Sequence, residues 1–149
     1  MATTAKKAPA KKASGKVFSE GEMEAMKDTI RERKKGGKTD GAADLKAAID
    51  KLTGLDRKIA EGLHALVMEA APSLSPKTWY GMPAYANDKE KVVCFFKPGG
   101  KFKSRYATFG FEDAAKLDDG NMWATSFAVI KLDDAEKKKL AALVKKAAG

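Results

Sequence analysis

The chain of 149 residues holds one cysteine, Cys94, and one histidine, His64. That scarcity excludes an internal disulfide framework, a Cys/His zinc site and a haem-attachment motif. A hydrolase triad of the Ser-His or Cys-His type would have to use His64 as its only base. Long apolar runs are also lacking. A string such as VVCFF at 92–96 falls far short of the roughly 20 residues that span a bilayer. No apolar stretch follows the N-terminal lysines, so the start does not read as a secretory signal. Together with a single reduced thiol, these absences point to a cytoplasmic protein. Nor is there a Gly-x-Ser-x-Gly elbow, a His-Glu-x-x-His pair or a Walker-type phosphate loop. Lys97-Pro98-Gly99-Gly100-Lys101 is glycine-rich but reads as a hairpin turn with lysine shoulders. Cys94, flanked by Val93 and Phe95, reads as an inert buried thiol. The chain is expected to be a non-enzyme.

What is present is a hydrophobic fraction of 44%, enough for one real core, and a formal net charge of +9. The charge is unevenly placed. Residues 1–17 carry five lysines and no acid, residues 40–130 carry twelve groups of each sign, and residues 131–149 carry six lysines against three acids. The first segment, with no large apolar residue before Val17, cannot offset its ordering entropy and reads as a disordered basic tail over 1–17. Its Ala-Lys-Lys-Ala-Pro-Ala-Lys-Lys-Ala tract is similar to the tails of linker histones and bacterial nucleoid proteins. It reads first as a solubilising extension. The alternative is weak, salt-sensitive nucleic-acid contact through Lys6, Lys7, Lys11 and Lys12.

An accessory helix is expected within 18–39. Ser19 and Glu22 form a capping box, Phe18 and Met23 a hydrophobic staple, and Gly36-Gly37 a stop. From residue 40 the remaining chain reads as one domain. A helix from Gly41 to Leu52 places Leu45, Ala48, Ile49 and Leu52 on one face. A stronger one, capped by Asp56 and ended by Pro72, does so with Ile59, Leu63, Leu66, Val67 and Ala70. His64 lies beside that face as a partly exposed helix histidine. After Pro76, strands are expected at Lys77–Tyr80, Lys91–Phe96, Arg105–Phe111 and Trp123–Ile130, with one helical turn at Glu112–Leu117. A last helix runs from Asp133 to Ala147 and is capped by Asp133 or Asp134. Short connections favour an antiparallel meander. The expected fold is therefore α+β, an antiparallel sheet of about four to five strands with helices on one face. In VVCFF, alternation puts Val92, Cys94 and Phe96 on one side and Val93 and Phe95 on the other. Both faces of that strand then need cover, from the accessory helix, a ligand or a second copy in a homodimer.

The most distinctive string is Trp79-Tyr80-Gly81-Met82-Pro83-Ala84-Tyr85. Gly81 permits a bend and Pro83 removes a backbone donor, so the strand must end, bulge or lie at an edge there. Its aromatics make either a ligand-facing corner or a kink in the core. The string resembles the YGMPAY/YGMPAF signature of the YdhG-like family, whose domain is of unknown function. The resemblance continues in Ala70-Ala71-Pro72 before the motif. After it come Lys91–Phe96, Lys101-Phe102-Lys103, Thr108–Phe111 and the basic C-terminal helix. It covers roughly residues 42–147, with Phe18–Gly37 similar to an N-terminal helix of some members. The resemblance implies a frataxin/YjbR-like fold and a possible iron-chaperone role. Many members carry a histidine in a His-Ile-Gly-Phe strand, whereas Tyr106–Phe111 here has none.

A small-ligand site is expected around Trp79, Tyr80, Gly81, Met82, Pro83, Tyr85, Arg105 and Trp123. Iron, as the possible cofactor, would need carboxylate oxygens. The candidates are Glu20, Glu22, Glu24 and Asp28, and the pairs Glu112-Asp113, Asp118-Asp119 and Asp133-Asp134. Most of these are better explained as helix caps or turns, and the metal ligands stay unassigned.

Overall fold

The computed structural model describes residues 21–23, 25–27 and 41–149. Expectations for the tail at 1–17, for Ser19 and for the stop at Gly36-Gly37 lie outside the described residues. Residues 21–23 and 25–27 are helical. Gly21 abuts the backbone of Lys101 and Ala25 is buried, so this segment leans on the domain.

The domain begins with α1 (Gly41–Asp50) and α2 (Gly54–Ala70). It continues through β1 (Ser75–Trp79), β2 (Met82–Ala86), β3 (Val92–Lys97), β4 (Ala107–Phe111) and β5 (Ser126–Val129), and ends in α3 (Asp134–Ala148). The strands form one antiparallel sheet in the order β1-β2-β3-β4-β5, so the α+β meander expected from the sequence is the observed architecture. The helices pack on one face. Leu45 and Ile49 of α1, Ile59, Leu63, Leu66 and Val67 of α2, and Leu140 and Val144 of α3 share a core with Tyr85, Cys94, Phe96, Phe109 and Phe111. The apolar spacing of the helices, three and four residues apart, accounts for this burial directly.

Three local features depart from the sequence reading. Met82–Ala86 is a strand in its own right, buried throughout. Tyr80 (φ 53°) and Gly81 (φ 77°) form a two-residue hairpin turn between Trp79 and Met82, with both central residues in the left-handed region. Pro83 pairs with Thr78 of β1 and has no partner on β3, whose register with β2 starts at Ala84↔Phe95. The missing proline donor therefore falls where the ladder is open, and an interior strand tolerates it.

The second departure is in β3. Its register against β2 slips between Tyr85↔Cys94 and Ala86↔Val92, leaving Val93 as the extra residue of a bulge. Val93 consequently joins the helix-side core rather than the opposite face. The third is at α2, where Thr53, not Asp56, is the N-cap. At α3 the cap is Asp133, whose N–H donates to Glu136 at 3.0 Å, and Glu112–Ala115 makes only a single turn.

The face away from the helices is covered in part by its own aromatics. Phe95 sits opposite Gly110, and a Cβ there would lie 2.5 Å from the Phe95 ring, so only glycine lets the ring lie flat on β4. Trp79 meets Phe95 edge to face, with ring centroids 5.3 Å apart.

Candidate functional site

The α1–α2 junction, the Tyr80-Gly81 turn and the loop from Pro98 to Tyr106 meet around an open cavity of about 340 Å³. Leu52 closes the last turn of α1 by donating to the Ile49 carbonyl at 2.9 Å. Across the junction, Asp50 accepts from Arg57 of α2 at 3.2 Å; within α1 it also accepts from Lys46 at 3.2 Å. These exposed pairs contribute little energy, but the Arg57 pair spans the joint that forms one wall. Ala48, Lys51, Thr53 and Asp56 line that wall; Gly81, Pro83, Gly100 and Lys101 line the others.

Asp56 ties the walls together. Its carboxylate accepts from the Gly99 N–H at 3.2 Å and from the Gly100 N–H at 2.8 Å, one on each oxygen. Two consecutive glycine amides thus grip a single carboxylate at the start of α2, and the loop is pinned to the helix. Within the loop, Ser104 N–H donates to the Gly99 carbonyl at 2.8 Å. Thr53 caps α2 without a side-chain hydrogen bond, and a helix N-terminus carries partial positive charge.

The structure distributes the sequence-selected ligand residues unevenly. Gly81 and Pro83 line the cavity. Tyr80 projects from the hairpin turn, 45% exposed, and meets Trp79 edge to face at 5.1 Å. Met82 is buried in β2. Arg105 stands in the β3–β4 loop, its guanidinium 5.2 Å over the Tyr106 ring. Trp123, 38% exposed, lies on the segment leading into β5, at the opposite edge of the sheet from β1.

Tyr85 points into the helix-side core. Its Oη is 3.0 Å from His64 Nδ1, and the two rings stack with centroids 5.9 Å apart. Burial, with nearby Cys94 adding to it, pushes the Tyr85 phenol well above its ordinary value. The phenol therefore stays protonated and shares a hydrogen bond with a neutral His64, the histidine tautomer deciding which of the two donates. Burial also pushes the His64 ring below its ordinary value and the Cys94 thiol up to about 12. His64 is the partly exposed helix histidine expected from the sequence, and in addition a hydrogen-bond partner of the core tyrosine.

A pH dependence follows with a definite sign. Folding lowers the histidine pKa, so at mildly acidic pH the unfolded chain binds the extra proton. The stabilisation from neutral His64 is complete above roughly pH 6.5 and is lost as pH falls below that through the lower folded value. Thermal melts from pH 8 to pH 4.5 are expected to show the stability gap between wild type and His64→Gln shrinking over that window. A gap that stays constant would contradict this role.

Sequence reasoning missed Asp56 as a clamp, and missed Lys51 and Thr53 as lining groups. The only signal was the Gly99-Gly100 pair, two adjacent amides without side chains to shield them. Among the described residues, no group of three or more His, Cys, Asp or Glu is placed to hold a metal ion. Glu20, Glu24 and Asp28, and the tail residues Lys6, Lys7, Lys11 and Lys12, lie outside the described residues. No described helix is long and apolar enough to cross a membrane. The chain matches no family model, no curated protein and no solved structure.

Proposed function

We propose that the chain is a non-enzymatic small-ligand-binding protein, YdhG-like in its Trp79–Tyr85 motif, whose site is the cavity between the α1–α2 junction and the Tyr80-Gly81 turn. The observation that carries this reading is the cavity itself, about 340 Å³ and bounded by the irregular backbone of the motif. That volume is at the low end of the roughly 300–1,000 Å³ typical of ligand pockets, which suits a compact ligand. Its lining holds Lys51 and the N-terminal end of α2 at Thr53, and its one carboxylate, Asp56, is already engaged by two amides. Such a lining suits a small organic or inorganic anion better than iron, which would call for several oxygen ligands. Of the groups best suited to acid–base or nucleophilic work, Tyr85 and Cys94 are packed in the core and half-buried His64 is bonded to Tyr85; none of the three lines the cavity, which supports binding over catalysis.

The test is titration of isotope-labelled protein with succinate, inorganic phosphate and ferrous ion in turn. Succinate or phosphate is expected to shift the amides of Thr53, Gly81 and Gly100 saturably. Ala48→Phe, which fills the cavity from α1, is expected to weaken that binding at least tenfold. Saturable heat with ferrous ion alone would replace this reading with an iron-binding one. If none of the probes moves those amides, the cavity is not a binding site.

A further inference from the structure

The two edges of the sheet are built differently. β1 carries Pro76 and Lys77, a proline and a charge of the kind that discourages edge pairing, and Gly41 of α1 packs against the Pro76 backbone. β5 has neither device. Its Ser126-Phe127-Ala128-Val129 strand holds no proline and no charge, and among the described residues no strand pairs with its outer side. Phe111 N–H donates to the Thr125 carbonyl at 2.7 Å. In an antiparallel ladder this directs the main-chain groups of Thr125, Phe127 and Val129 toward β4, and those of Ser126 and Ala128 outward. Apolar side chains cluster at the same edge: Met122 is 87% exposed, Ile130 is 62% exposed, and Trp123 stands beside Met122.

We propose that two copies of this chain associate through β5, pairing antiparallel about a two-fold axis at Phe127 to give one continuous sheet. The open groups dictate that register. Ser126 of one copy exchanges two hydrogen bonds with Ala128 of the other, and Ala128 with Ser126, so every outward N–H and C=O is satisfied. Phe127 then faces Phe127 in the closely spaced position, on the helix side. Continued beyond the strand, the same register sets Ile130 against Ala124 of the second copy, and the Lys131 ammonium against the face of Trp123. A groove of about 410 Å³ runs between β5 and α3 beside the axis, with Phe127, Val129 and Leu140 in its walls. Its charged lining is Lys131 and Lys139 against Asp133 and Glu136. That balance lets two copies of the same surface approach without net repulsion, which favours a second copy over a strongly charged partner. The proposal is independent of the cavity and of its ligand.

Sedimentation equilibrium of the full chain tests it, from about 10 to about 500 µM at two salt concentrations, since a molecule of formal charge +9 associates more readily when screened. A monomer–dimer equilibrium is expected. Ala128→Pro removes an outward N–H that β4 does not use, and Ala128→Lys places a charge on the edge. Each is expected to raise the dimer dissociation constant at least tenfold while leaving the far-ultraviolet spectrum and thermal midpoint of the monomer near wild type. A strict monomer at the highest concentration, or a dimer insensitive to both substitutions, overturns the proposal. So does a wild-type chain that stays monomeric and captures only an extended peptide at this edge.

Discussion

Tyr85→Ala is expected to cost about 3–5 kcal/mol of folding stability, the range for emptying a buried aromatic site. Tyr85 is 1% exposed and contributes to the core formed with α2 and α3. Truncation would leave a void beneath His64 and remove the phenol that is hydrogen-bonded to its Nδ1. Tyr85→Phe keeps the ring and loses only the hydroxyl, and is expected to cost about 1 kcal/mol. Tyr80→Asn, in the same motif, is expected to stay within about 0.5 kcal/mol. Tyr80 is half exposed, and asparagine suits the first central position of a turn with both φ angles positive. Urea melts of the three variants distinguish the roles. Equal losses at Tyr80 and Tyr85 would mean that the motif acts as one unit rather than as a turn followed by a core strand.

The motif illustrates how far the sequence can be read. Gly81 announced a break in regular backbone, and the structure has one there, whereas Pro83, expected to end or edge a strand, sits inside β2. What the string could not show is that the break is a tight hairpin. The turn uses tyrosine at its first central position, where Asn, Asp or Gly would have signalled it. The alternation rule likewise placed Phe95 on the face opposite Cys94 and Phe96, where the structure has it against Trp79. It failed at Val93 because a bulge is a property of the pairing between two strands, and one strand's sequence does not carry it. The helices were the easiest to read, since Leu45, Ile49, Ile59, Leu63, Leu66 and Val67 are buried at the spacing that the sequence displays.

The site was legible on one side only. Gly81 and Pro83 stood out by backbone chemistry, whereas Ala48, Lys51 and Thr53 are ordinary residues for a helix end and a helix start. Their proximity to the motif is tertiary: α1 lies against β1 and β2 because its apolar face seeks the sheet. Trp123 and Arg105 were grouped with the motif as aromatic and cationic candidates. Strand order, which composition does not encode, sends Trp123 to the far edge.

Asp56→Ala is expected to cost about 2–4 kcal/mol, a large effect for a residue that looks, in sequence, like a helix cap. The carboxylate spans 43 residues to Gly99 and 44 to Gly100, so its loss releases the β3–β4 loop from α2. Hydrogen bonds to a charged group contribute about 1.5–3 kcal/mol each when sheltered, and Gly99 is buried, so its N–H would be left without an acceptor. A favourable charge near the helix N-terminus, worth up to about 1 kcal/mol, is lost as well. Asp56→Asn retains one acceptor oxygen of the same shape and is expected to lose about half as much. Amide hydrogen exchange locates the effect: Gly99 and Gly100 should exchange much faster in Asp56→Ala, while the β3 and β4 ladders stay protected. If the loop amides keep their protection, some other contact holds the loop and the cavity wall does not depend on Asp56. If they lose it, the wall bearing Gly100 and Lys101 is held in place by one carboxylate, and any ligand seated there depends on a residue it need not touch.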